Sequence, residues 1–109
     1  MTEEDSEKNM AHLKSKIQND PDSIFMMNFL FGVGNHERIQ ILEEVKNEPL
    51  NVSDLSHRIN KSQSTISHHL KILETNGLIK GVKSGKFTQY SLDKVNFDRF
   101  NRLFAKFVE

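Results

Sequence analysis

Residues 53–92 carry an ordered set of start and stop signals that leaves few foldings open. Ser53 opens a short amphipathic run, SDLSHRI, with Leu55 and Ile59 on one side. Asn60-Lys61 makes a turn. Ser62 then caps a second helix that runs to about Thr75, where Asn76-Gly77 supplies a stop. Two strand-like runs follow, LIKGVK and KFTQYSL, joined through Ser84-Gly85 in a hairpin pattern.

The flanking segments are helical in pattern. Residues 1–8 are charged and are expected to fray. Met10, Leu13 and Ile17 then recur at helical spacing. Asp20-Pro21-Asp22 breaks that helix, and Asp22 or Ser23 is placed to cap the next. Residues 24–33, IFMMNFLFGV, are apolar almost all round, which predicts a helix deep in the core, ended by Gly32 and Gly34. Asn35 is the N-cap expected for a helix carrying Ile39, Ile41, Leu42 and Val45, which stops near Glu48-Pro49. Leu50 to Val52 reads as a short extended piece. A last helix carries Phe97, Phe100, Phe104 and Phe107, with Leu103 and Val108 beside them. The order predicts one domain over residues 1–109, mainly α with a small β-hairpin wing: a winged helix-turn-helix, with 53–75 as the helix-turn-helix and 78–92 as the wing.

The second helix of the pair has an unusual outer face. On a helical wheel Ile66, Leu70 and Leu73 share one side. Ser64, Ser67, His68 and Lys71 share the other, with Gln63 at its edge. A carboxamide, hydroxyls, an imidazole and an amine, without a carboxylate, suit base edges in a major groove. Formal net charge is zero, with 15 basic and 15 acidic residues. That average hides an asymmetry: residues 57–92 hold Arg58, Lys61, Lys71, Lys80, Lys83 and Lys86 against Glu74 alone, so 6 − 1 = +5. The tip Lys83-Ser84-Gly85-Lys86 is a wing expected to touch phosphate or a minor groove.

The two adjacent histidines raise a metal reading, and helix geometry disfavours it. Neighbouring side chains point about 100° apart, so His68 and His69 do not chelate one ion easily, and helical metal pairs use i, i+4 spacing. His69 falls nearer the core side and is expected to be a half-buried histidine bonded at a helix seam. His12, His36 and His57 are scattered in sequence. The chain has no cysteine, which excludes disulfides and thiolate ligation and fits a cytoplasmic location. There is no long apolar run for a membrane span and no secretion signal. No nucleophile–base pair, Gly-rich phosphate loop or carboxylate cluster suggests an enzyme, and Asp54 fits helix-start chemistry. No cofactor is expected.

Residues 24–92 resemble the ArsR/SmtB family of bacterial winged-helix repressors. The strongest stretch is SQSTISHHLKILETNGLI (62–79), supported by GNHERIQIL (34–42), LNVSDLSHRI (50–59) and GVKSGKFTQYSL (81–92). The resemblance implies that Gln63, Ser64, Ser67 and His68 enter a major groove. Arg58, Ser62, Thr65, Lys71, Lys83 and Lys86 are assigned to the DNA backbone. The family fold also implies a homodimer through the first and last helices (10–20 and 94–108), with Met10, Leu13, Ile17, Phe97, Phe100, Phe104 and Phe107 as interface residues. The familiar metal sites are missing: their positions look like Asn51 and Ser53 in one case, and Lys94, Asn96 and a place near Phe107 in the other. The expectation is a homodimeric repressor of double-stranded DNA with an inverted-repeat operator and no metal response through those sites. Two alternatives stay open: a metal-responsive repressor with other His, Asp or Glu ligands, and a winged-helix module that binds protein or RNA. The sequence names no effector.

Overall fold

The structure, a computed structural model, describes residues 2–109, leaving aside the side chains of 13–18. Helix α1 (Glu3–Asn19) begins inside the segment expected to fray. The reason is a reciprocal cap: the Asp5 amide donates to Thr2 Oγ1 at 3.2 Å and the Thr2 amide donates to Asp5 Oδ2 at 3.4 Å. Glu3, Glu4 and Asp5 also place negative charge at the positive end of the helix.

Helix α2 (Pro21–Val33) starts earlier than Asp22 or Ser23 would start it. Asp20 is the N-cap, accepting from the Ser23 amide and hydroxyl at 3.3 and 2.7 Å. Pro21 then sits where a missing N–H costs nothing. The expected deep burial of this helix is not found. Phe29 and Gly32 are buried, but Ile24, Met27, Leu30 and Phe31 are exposed. Among the described side chains, one face of the helix is covered and the other is exposed.

Helix α3 (His36–Val45) is capped by Asn35, which accepts from the Arg38 amide at 3.1 Å. Helix α4 (Val52–Ile59) starts one residue ahead of expectation. Asn51, rather than Ser53, caps it, in a capping box with Asp54. Of the expected extended piece, Leu50 forms one antiparallel bridge with Tyr90, Asn51 stays extended as the cap and Val52 is already helical. Asn60 turns the chain in the left-handed region at φ 60°, and helix α5 (Gln63–Thr75) begins after its Ser62 cap.

Strands β1 (Ile79–Ser84) and β2 (Phe87–Leu92) pair antiparallel, with Ile79 opposite Leu92 and Ser84 opposite Phe87. The turn is therefore Gly85-Lys86, one residue later than Ser84-Gly85. Gly85 alone of the pair has positive φ (63°), matching a type II′ hairpin turn. Helix α6 (Lys94–Ala105) follows, capped by Asp93, and ends in a 3₁₀ turn (Lys106–Val108).

One core joins these elements: Phe29, Ile41, Val45, Leu50, Leu55, Ile66, Leu70, Leu73, Leu78 and Ile79. Phe29 is its link to the last helix, stacked on Phe100 with centroids 4.5 Å apart and edge-on to Phe97 at 4.9 Å. That contact divides the aromatic stripe. Phe97 and Phe100 pack inward on their own protomer, while Phe104 and Phe107 are 51% and 72% exposed. Met10 is exposed too, whereas Leu13 and Ile17 lie outside the described side chains.

Candidate nucleic-acid interface

The turn into α5 is held by local bonds. Ser62 Oγ accepts from the Thr65 amide at 3.1 Å and lies 2.9 Å from Thr65 Oγ1. Both hydroxyls, assigned from sequence to the DNA backbone, thus already serve the cap. Beyond it Ile66, Leu70 and Leu73 point into the core. Gln63, Ser64, Ser67, His68 and Lys71 are exposed together. The first face of this helix fixes the second: at 3.6 residues per turn, burying 66, 70 and 73 sends 64, 67, 68 and 71 outward.

The cations divide into two groups. Arg58 donates to Glu44 at 3.2 Å and to Glu48 at 2.6 Å, so its charge is offset within the protein. Lys61 lies 3.5 Å from Glu37. By contrast, Lys71, Lys83 and Lys86 form no ion pair among the described residues. Lys71 on α5 and Lys83 and Lys86 at the wing tip thus leave positive charge unpaired on this side. Lys80 lines a groove with Lys46, Glu48 and Lys94.

The wing is tied to α5. Glu74, the carboxylate at the end of α5, accepts from the Gly81 amide at 3.0 Å. A Cβ at Gly81 would meet Thr88 Cγ2 at 2.8 Å, Tyr90 Cε1 at 2.9 Å and Glu74 Oε2 at 3.1 Å, so glycine is what the close approach requires. Burial and then the nearby Glu74 charge push the Tyr90 phenol above its ordinary 10.0. At the exit of α5, Asn96 Nδ2 donates to the Gly77 carbonyl at 2.9 Å, where Gly77 takes φ 87°. Asn51 and Asn96 thus serve as a helix cap and a turn clasp.

His69 sits at the seam of α3 and α5, as its position on the wheel indicates. Its Nε2 is 2.6 Å from Glu37 Oε2 and its Nδ1 is 3.4 Å from Arg38 Nη1. The hydrogen bond from His69, reinforced by Lys61, holds the Glu37 carboxyl below its ordinary 4.5 against the opposing cost of desolvation. Sequence reasoning missed Glu37 and Arg38. A signal was present for the second: Arg38 shares the buried stripe of Ile41 and Val45 at i, i+3, i+7.

Comparison with known proteins agrees with this geometry. Residues 35–80 match the model of the bacterial regulatory protein, arsR family. The chain is 42% identical over 55 residues to the HTH-type transcriptional regulator NmtR of Mycobacterium tuberculosis, a match covering 50% of this chain and 46% of that protein. It therefore spans less than half of that relative. The transcriptional repressor SdpR of Bacillus subtilis is 32% identical over 68 residues, with 62% of this chain and 76% of that protein covered. Among solved structures, HlyU from Vibrio cholerae superposes with a TM-score of 0.64 at 30% identity, over 79% of this chain and 98% of its own. With its winged helix-turn-helix, its exposed second helix and these relatives, the chain belongs to the ArsR family of bacterial transcriptional regulators.

Proposed function

We propose that the chain is a homodimeric repressor that binds an inverted-repeat operator in duplex DNA and blocks a promoter, acting in the cytoplasm. The observation that carries the reading is the outer face of α5. Gln63, Ser64, Ser67 and His68 are exposed together and form no side-chain hydrogen bond among the described residues, while Ile66, His69, Leu70 and Leu73 are buried. Lys71, Lys83 and Lys86 supply backbone contacts on the helix and the wing. Arg58, Ser62 and Thr65 contribute less than their positions suggest, because intramolecular partners already occupy them.

The dimer reading is supported by uncovered apolar surface. Ile24, Met27, Leu30 and Phe31 on α2 and Phe104 and Phe107 at the chain's end are exposed. The described side chains of α1 are exposed as well, and most helical stability in proteins comes from packing of an apolar face. A second copy would cover such surfaces. Two-fold symmetry then places two α5 helices about 34 Å apart, or a multiple of it, along the duplex.

Selection of bound sequences from a random duplex pool tests the reading. An inverted repeat with that half-site spacing is expected. The double variant Ser64→Ala, His68→Ala should keep its fold and lose about tenfold or more in affinity for the selected duplex, the worth of a base contact. Full affinity of that variant by fluorescence anisotropy would remove α5 as the reading element.

A further inference from the structure

Arg38 and His69 are the buried polar residues of the core, 7% and 8% exposed. Burying such groups is costly unless they are bonded, and among the described residues no buried side-chain nitrogen or oxygen lacks a partner. Arg38 reaches out of α3 in two directions. Its Nε donates to the Gly32 carbonyl at 2.7 Å and its Nη2 donates to the Phe31 carbonyl at 3.1 Å, closing the last turn of α2. Its Nη1 faces His69 Nδ1 on α5 at 3.4 Å.

A guanidinium has donors only, so Nδ1 must offer its lone pair and the imidazole proton must sit on Nε2. Nε2 then donates to Glu37 Oε2 at 2.6 Å. The other oxygen of Glu37 lies 3.5 Å from Lys61 in the turn before α5. One chain of polar contacts thus runs from the end of α2 through Arg38, His69 and Glu37 to the helix-turn-helix turn.

This chain restrains what the apolar contacts do not. Ile66, Leu70 and Leu73 hold α5 against the core, but hydrophobic attraction is non-directional and tolerates a roll of the helix about its axis. A bonded imidazole fixed on both nitrogens does not. His69 is adjacent to His68 and two residues from Ser67, so a small roll displaces both from a groove. We propose that His69, locked by Arg38 and Glu37 as the Nε2–H tautomer, is a positioning residue that sets the roll of α5 and so the register of Gln63, Ser64, Ser67 and His68 on base edges. The proposal rests on α5 being the DNA-reading helix.

Two measurements test it. In the free protein, long-range ¹⁵N–¹H correlation of the imidazoles should show His69 with its proton on Nε2. A proton on Nδ1 would overturn the proposal. On DNA, the probe is a duplex selected by the native chain from a random pool, compared with a shuffled duplex. His69→Leu should lower the affinity ratio of the two about tenfold, the scale of one misplaced base contact. His69→Gln, whose amide can donate on one side and accept on the other, should stay within about threefold of native. An unchanged ratio in His69→Leu, or an equal loss in both variants, would refute the positioning role. Should His69→Leu not fold, Glu37→Ala at its part-exposed site is read the same way, and an unchanged ratio again refutes it. A native chain with the expected tautomer but no preference among duplexes would instead overturn the DNA reading itself.

Discussion

The salt dependence of operator binding follows from which cations already have partners. Five basic residues lie on the helix-turn-helix or at the wing tip: Arg58, Lys61, Lys71, Lys83 and Lys86. Arg58 and Lys61 face Glu44, Glu48 and Glu37, so three remain to meet phosphate, six in a dimer. Each neutralised phosphate contributes about −0.9 to the slope of log K against log salt, so the expected slope is about −5. All five cations per protomer would give about −9. At the expected slope, affinity falls about a thousandfold between roughly 50 and 200 mM salt. Lys83→Ala with Lys86→Ala removes four contacts per dimer and should flatten the slope by about 3 to 4. Arg58→Ala should leave it nearly unchanged. Fluorescence anisotropy with a selected duplex across a potassium chloride series measures all three. A native slope near −9 would mean that the ion pairs open on DNA. A slope that the double lysine variant does not flatten would detach the wing from the phosphates.

Other consequences concern assembly, packing and pH. Phe104→Glu with Phe107→Glu should convert a dimer to a monomer in sedimentation equilibrium while far-ultraviolet circular dichroism is retained, because both rings are exposed in the protomer. Gly81→Ala forces a methyl to within 3 Å of Thr88 and Tyr90 and should cost about 1–2 kcal/mol in urea unfolding, an overpacking penalty softened by two movable side chains. The folded pKa of Glu37 is lowered, so its stabilising contribution is complete above the ordinary 4.5 and fades as pH falls through the lower folded value. Urea midpoints of the native chain and Glu37→Gln should therefore differ at neutral pH and converge in acid.

The signals that proved most informative in the sequence were local ones. Ser62, Asn35 and Asn76-Gly77 mark their helix ends because capping chemistry involves residues within a few positions of each other. The exposed face of α5 was legible for the same reason, since helical periodicity assigns each side chain a direction. Errors arose where the outcome depends on elements distant in sequence. The apolar run 24–33 announces burial but not how many sides receive it, and only Phe29 and Gly32 of α2 are buried. Glu37 and Arg38 act on His69 across more than 30 residues of sequence, a relation that no local pattern encodes.

The single bridge between Leu50 and Tyr90 has a topological consequence. Its two bonds, Leu50 amide to Tyr90 carbonyl at 3.0 Å and Tyr90 amide to Leu50 carbonyl at 2.8 Å, close a loop that contains all of α4, α5 and β1. Helix α5 and most of the wing therefore belong to a lobe whose two ends are pinned side by side, with α1 to α3 before it in the chain and α6 after it. The lobe is pinned but not autonomous: Ile41 and Val45 of α3 share its core, and Arg38 joins His69 on α5 to the end of α2.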